Sequence, residues 1–174
     1  MSAPSGPGGL PGPVAVAGRF FRHQAARFER LGGSSFGGRW SPPNEFEAIY
    51  LARPLKAVAG EAYRHLVDRV AADPAFISAR QLFTVEVALA RVLDLRDEAG
   101  RRACGLLRGE LSGAHDHCQV VGRRSFEAGY EGVLAPAATC LGETLCVFAG
   151  RVEPRGLRVV ERRLWELPSD PRLG

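Results

Sequence analysis

Lysine is almost missing from this chain: Lys56 is the only one, and the rest of the 23 Lys and Arg residues are arginines. The formal charge is nonetheless +4, a balance that attracts phosphorylated ligands. The paired arginines Arg101-Arg102, Arg123-Arg124 and Arg162-Arg163 are scattered among acids such as Glu110, Glu127 and Glu161. Without a clustered basic footprint, direct nucleic-acid binding is not expected. No apolar run approaches the roughly twenty residues that cross a bilayer, so no membrane span is expected. Residues 1–18 have neither a positive leading segment nor a continuous apolar stretch, and do not read as a secretory signal. Their Pro, Gly, Ser and Ala content reads as a disordered tail, leaving one domain over residues 19–174.

Cys104, Cys118, Cys140 and Cys146 form no C-x-x-C pair, which argues for reduced thiols in a cytoplasm. The stretch His115-Asp116-His117-Cys118 contains metal-ligand types, but no second cluster at familiar spacing completes a four-ligand site, so no metal is expected. A Gly-x-Gly-x-x-Gly fingerprint after a strand is absent, as is a Walker-type lysine motif. A redox dinucleotide site is therefore not supported, nor is a P-loop.

What is present reads as a single α+β domain; 174 residues suffice to bury roughly two thirds of the unfolded chain's surface. Strands are expected over residues 19–23, 47–52, 81–95 (one or two), 132–135, 144–148 and 157–164. Residues 32–44, with Gly-Gly, Ser-Ser and Pro-Pro pairs, read as a loop. Pro54 can start a helix over residues 54–72, with Leu55, Ala59, Ala62, Leu66 and Val70 as its buried stripe. Further helices are expected over 97–111, favoured at its start by Asp97, and over 115–128, ended by Gly129.

Within "GGRWSPPNEFEAIYLARPLKAVAGE", Arg39, Tyr50 and Glu61 stand eleven positions apart. A cation, an aromatic face and a carboxylate suit a pocket that holds phosphate, stacks a flat ring and stabilises a cationic sugar. Taken as residue types alone they fit three separate roles equally well: Glu61 as a solvated glutamate off the helix stripe, Tyr50 as a strand core residue, Arg39 as a loop cap. Gly60, poor in a helix by about 1 kcal/mol, leaves bare backbone beside the carboxylate.

The order Gly37-Gly38-Arg39-Trp40, then Ile49-Tyr50-Leu51-Ala52, then a helix bearing Glu61, resembles the RES-domain family. Weaker echoes are Arg22-His23, Val92-Leu93-Asp94-Leu95 and Tyr130-Glu131-Gly132-Val133-Leu134-Ala135-Pro136. The resemblance implies a fold like that of ADP-ribosyltransferase toxins, with a mixed or antiparallel β core and flanking helices. It implies a growth-inhibiting toxin that consumes NAD by hydrolysis or phosphorolysis, or transfers ADP-ribose to a protein. NAD is then substrate, and no cofactor is required. The implied partner is an antitoxin with a helix-turn-helix DNA-binding region that assembles with the toxin as a hetero-oligomer and blocks its cleft.

By the same correspondence Arg39, Tyr50 and Glu61 are active-site residues, and Arg22, or Arg19 in a slipped register, is a further NAD contact. The family's serine falls on Ala137, which opens the alternative of an impaired binding module unless a group such as Thr139 replaces it. In the implied chemistry, Glu61 stabilises the oxocarbenium-like sugar, Arg39 and Arg22 hold the pyrophosphate, and Tyr50 stacks on nicotinamide or its ribose.

Overall fold

The computed structural model describes residues 9–69 and 73–174. Six strands, β1 (Val14–Ala25), β2 (Ala48–Arg53), β3 (Arg80–Asp94), β4 (Gly132–Pro136), β5 (Glu143–Phe148) and β6 (Leu157–Trp165), form one sheet in the order β1-β2-β5-β4-β3-β6. An additional β1–β3 pairing closes the first five into a ring. All pairings are antiparallel except β3 with β4. Val92 pairs with Val14 on one side and Gly132 on the other, so β3 is the seam of the ring. The parallel β3–β4 step needs a crossover, and residues 95–131 supply it with α2 (Glu98–Ala103) and α3 (Asp116–Glu127).

β1 is longer than expected. Its first residues, Val14–Gly18, were assigned to the tail; they are strand because they pair with β3 from Val14↔Val92 to Gly18↔Val87. Tertiary pairing here overrides a Pro- and Gly-rich composition. Leu10, in the same expected tail, is fully buried, while residues 1–8 lie outside the described residues.

The ring's interior is filled by Phe20, Ile49, Leu51, Val85, Val87, Leu134, Leu145 and Val147. Full burial of side chains of this size contributes about 1.5–3 kcal/mol each. Strand alternation puts Ile49 and Leu51 inside and turns Tyr50 outward, against the second apolar cluster of Trp40, Leu93, Cys118, Val121, Tyr130 and Phe148.

Pro54 precedes α1 (Leu55–Ala62), which continues as a wider π-helical turn over Tyr63–Asp68. Ala57, Val58, Ala59, Gly60 and Ala62 are all buried, so α1 is enclosed more completely than a single stripe predicts; Val70, the stripe's last member, lies outside the described residues. The C-terminal segment closes over this helix: Tyr63 Oη donates to Pro168 O at 2.6 Å, and Arg172 bonds Asp68 and Asp170.

The expected helix over 97–111 is broken in two. Asp97 accepts from Gly100 N at 2.6 Å as the N-cap of α2. The helix then stops at Gly105, whose φ of +74° is left-handed. Leu106 N bonds Arg101 O and Gly105 N bonds Arg102 O, a Schellman closure. α3 ends the same way, with Tyr130 N on Ser125 O, Gly129 N on Phe126 O, and φ +83° at Gly129.

Candidate active site

The motif Gly37-Gly38-Arg39-Trp40 is explained residue by residue. Gly37 has a φ of +96°, a conformation that glycine adopts without Cβ strain. A Cβ on Gly38 would stand 2.5 Å from Tyr50 Oη. That hydroxyl accepts from Trp40 N at 2.9 Å and bonds Ser41 Oγ at 2.8 Å, while Gln119 Nε2 donates to Gly38 O at 2.9 Å. Trp40 is 1 % exposed and anchors the loop in the core. Gly122 of α3 makes the fit possible, since a Cβ there would lie 1.8 Å from Trp40 O.

Pinned in this way, Arg39 projects into a cavity of about 370 Å³ that Arg22, Tyr50 and Glu61 also line, a volume within the range of small-molecule sites. Arg22, not Arg19, is the β1 arginine of this cavity; Arg19 lines a neighbouring one. Four of the five expected residues are thus brought together. Ala137 is not with them: it is 2 % exposed and tied into the β4–β5 turn through bonds with Gly142 O and Cys140 N. Its neighbours Pro136 and Ala138 line the cavity in its place, with Thr144. Thr139 does not line it, and its Oγ1 is buried without a hydrogen-bond partner.

Glu61 is the only carboxylate among the lining residues and is not a solvated surface glutamate, its side chain being 20 % exposed. Oε1 is buried without a hydrogen-bond partner, and Oε2 lies 3.9 Å from His65 Nε2. Burial raises its pKa from the ordinary glutamate value, against the opposing pull of Arg64, the Thr139 amide, Arg39 and the Ala138 amide. The bare backbone of Gly60 is approached by protein: a Cβ there would meet Leu141 Cδ1 at 2.8 Å and Thr139 at 3.3 Å. The missing side chain lets the β4–β5 turn close over the carboxylate.

Tyr50 is held neutral, with burial lifting its pKa well above the usual phenol value. Its hydroxyl is committed to the motif loop, so only the ring is available to a ligand.

Five arginines line the cavity, Arg22, Arg39, Arg64, Arg69 and Arg80. None has a carboxylate partner within ion-pair distance among the described residues. Four of them are held instead by neutral groups. Arg39 donates to Glu110 O at 2.8 Å and Gly113 O at 3.2 Å, Arg64 to Ser112 O at 2.9 Å, and Arg22 to Tyr50 O at 3.0 Å. Arg80 is oriented by His23 Nδ1 at 2.8 Å; burial, Arg80, Arg22 and His65 push the His23 pKa down to about 3, so the imidazole is a neutral acceptor near pH 7.

The neighbouring cavity, about 580 Å³, behaves oppositely. Its arginines are neutralised, Arg53 by Glu143 at 2.5 Å, Arg96 by Asp94 at 2.8 Å and Arg19 by Glu86 at 2.9 Å. The smaller cavity instead combines one acid with five arginines that have no carboxylate within ion-pair distance among the described residues, a positive balance that attracts anions.

The sequence matches the RES domain over residues 14–170. The chain belongs to the RES-domain family. It is 33 % identical over 144 residues to proteins named NAD(+) phosphorylase MbcT from Mycobacterium tuberculosis and Mycobacterium bovis, covering 80 % of this chain and 77 % of theirs. Its fold matches a chain in the crystal structure of the M. tuberculosis MbcT–MbcA toxin–antitoxin complex with a TM-score of 0.83 and 31 % identity, over 90 % of this chain and 88 % of that one.

Arg64, His65, Arg69, Arg80 and His115 line the same RES-domain cavity but were not singled out as ligand contacts from the sequence. His115 was noticed only as a metal-ligand type; its neighbour His117 pairs with Glu110 instead. Among the described residues no group of three or more His, Cys, Asp and Glu could hold a metal ion, and no helix is long and apolar enough to cross a membrane.

Proposed function

We propose that this RES-domain protein cleaves the nicotinamide–ribose bond of NAD, consuming the dinucleotide as a substrate, and that it acts in the cytoplasm as a toxin restrained by a protein antitoxin. One observation carries the reading: Glu61, partly desolvated and with one oxygen unpaired, is the sole acid among the described lining residues of a cavity with five arginines, none of which has a carboxylate within ion-pair distance among the described residues. The relatives named NAD(+) phosphorylase and the toxin–antitoxin complex support it.

The assigned roles follow from charge and placement. The arginine fork suits paired phosphate oxygens, so Arg22 and Arg39 hold the pyrophosphate. The ring of Tyr50 packs against nicotinamide or its ribose. As the bond to nicotinamide lengthens, positive charge spreads over the anomeric carbon and ring oxygen, and the Glu61 carboxylate stabilises it more strongly for being shielded from water. Nicotinamide departs neutral, so no strong general acid is required. Phe21 and Pro136 line both cavities, so the two lie side by side.

The sheet and flanking helices are read as a frame of the ADP-ribosyltransferase type, which superposition on such toxins would test. Chromatography of NAD incubated with the purified protein tests the activity. Nicotinamide should be released by the wild type and lost in Glu61→Gln; unchanged release in that variant would refute the role of the carboxylate. Tight NAD binding without turnover would favour an impaired module, for which Ala137, where the family serine is expected, is the motivating residue.

A further inference from the structure

The roles assigned above leave the His23 imidazole unused, yet the fold holds it in one defined state. Strand register sets that state: Trp165 of β6 lies opposite Arg80 of β3, and His23 of β1 lies opposite Leu82, two positions further along the same face. Diagonal neighbours on one sheet face are within reach of long side chains. Arg80 brings two nitrogens to a single atom, its Nε at 3.2 Å and its Nη2 at 2.8 Å from His23 Nδ1. The Trp165 ring lies alongside the imidazole with the centroids 5.4 Å apart. His23 and Arg80 both line the cavity that contains Glu61.

A guanidinium only donates, so Nδ1 accepts and carries no hydrogen. An imidazolium has a hydrogen on both nitrogens and is incompatible with this contact. The ring is therefore neutral, with its one hydrogen on Nε2. Among the described residues no protein group accepts that hydrogen. With Nδ1 occupied and Trp165 alongside, Nε2–H is the polar part of the ring left for a ligand. Guanidinium groups bind phosphate oxygens more strongly than a neutral donor does, so an uncharged donor among five arginines suits an uncharged oxygen.

Resting on the NAD-cleaving reading above, we propose that His23 binds the dinucleotide by donating its Nε2 hydrogen to a ribose hydroxyl oxygen, and that Arg80 is the positioning residue that fixes this tautomer. The contact is made to the sugar and not to the phosphates, so it separates a dinucleotide from free pyrophosphate. It acts on binding and leaves the chemical step unchanged.

The test is calorimetric titration of ADP-ribose and of inorganic pyrophosphate into wild type, His23→Asn, His23→Gln and Arg80→Leu, with steady-state NAD consumption and long-range proton–nitrogen NMR of the imidazoles. Asparagine places an acceptor near the Nδ1 position and keeps Arg80 in place, but has nothing at Nε2; glutamine places its amide near Nε2. His23→Asn should weaken ADP-ribose binding about fivefold and raise the KM for NAD by a similar factor. Pyrophosphate affinity and kcat should move less than twofold, as expected for a binding contact, and His23→Gln should restore most of the loss. At pH 7 the wild-type His23 signals should be those of the neutral ring protonated at Nε2, and Arg80→Leu should admit the form protonated at Nδ1. An asparagine variant that binds like wild type beside an impaired glutamine variant would overturn the proposal, leaving His23 only as a support for Arg80. Equal losses for ADP-ribose and pyrophosphate would overturn it, as would an imidazolium or an Nδ1-protonated ring in the wild type. A raised KM for NAD with unchanged ADP-ribose affinity would overturn it by moving the contact to nicotinamide. The expected ADP-ribose results without nicotinamide release would sustain this contact and sink the cleavage reading; a wild type that binds no ADP-ribose would sink the contact.

Discussion

Replacing Glu61 by glutamine should make this protein more stable and less active at once. The carboxylate sits where burial outweighs the attraction of Arg64, Arg39 and two backbone amides, and Oε1 has no hydrogen-bond partner. A buried unsatisfied polar group costs about 1–3 kcal/mol, more when charged. Glutamine keeps the shape and removes the charge but still leaves one atom unpaired, so about 1 kcal/mol should be recovered. For a chain of this length that is a rise in Tm of about 2–4 °C.

The pH dependence supplies an internal control. A carboxyl whose folded pKa is raised binds its proton more tightly in the folded state, so the wild type loses stability as pH rises from the unfolded pKa through the folded one. The gap between variant and wild type should therefore be open at pH 7.5 and close as pH falls through the raised value and Glu61 becomes neutral. Thermal unfolding at several pH values, paired with nicotinamide release, measures both effects; turnover should fall by about 10²–10³. A Glu61→Gln protein that is less stable at pH 7.5, or whose Tm gap ignores pH, would refute the argument from burial.

Tyr50→Phe removes the acceptor of Trp40 N and the partner of Ser41 Oγ; it should lower stability by about 1–3 kcal/mol, read from the urea midpoint, and raise the KM for NAD because the loop bearing Arg39 loses its anchor. Gly122→Ala would force a Cβ to 1.8 Å from Trp40 O and should cost about 3 kcal/mol or more; an unchanged denaturation curve would contradict the close approach. Gly60→Ala should push the β4–β5 turn away from Glu61, with the Cβ meeting Leu141 at 2.8 Å, and reduce kcat more than it reduces folding stability. Arg39→Lys removes the planar guanidinium, whose Nη1 alone donates to Glu110 O and Gly113 O, and with it the remaining nitrogens that suit paired phosphate oxygens, so it should raise the KM for NAD about tenfold, measured by initial rates.

Much of this frame was legible along the chain because most of its strands alternate plainly. Ile49, Tyr50 and Leu51 separate inner from outer face by parity alone, and Gly129 marks the end of α3 through a backbone conformation that suits glycine. β1 was cut short because Val14–Gly18 follow a Pro- and Gly-rich stretch, and their strand character comes from β3, more than sixty residues away. The same limit applies to the site. Arg22, Arg39, Tyr50 and Glu61 were accessible through a motif whose glycines have individual reasons, but Arg64, His65 and Arg69 look like the wet face of an ordinary helix. Only the approach of the motif loop and His115 turns that face into a cavity wall. Ala137 lies apart from the cavity for a related reason, since a short turn can aim neighbouring residues in opposite directions: Pro136 and Ala138 line the cavity while Ala137 is packed away.

The Tyr63–Pro168 and Arg172–Asp68 contacts tie the C-terminal segment to the π-helical turn that bears Arg64 and His65. Trimming residues 167–174, or crowding them with an appended tag, would release that turn from its brace and blunt turnover in a molecule whose sheet remains intact. A loss of activity after C-terminal cleavage would therefore report slackened geometry, with Arg22, Arg39, Tyr50 and Glu61 all still in the sequence.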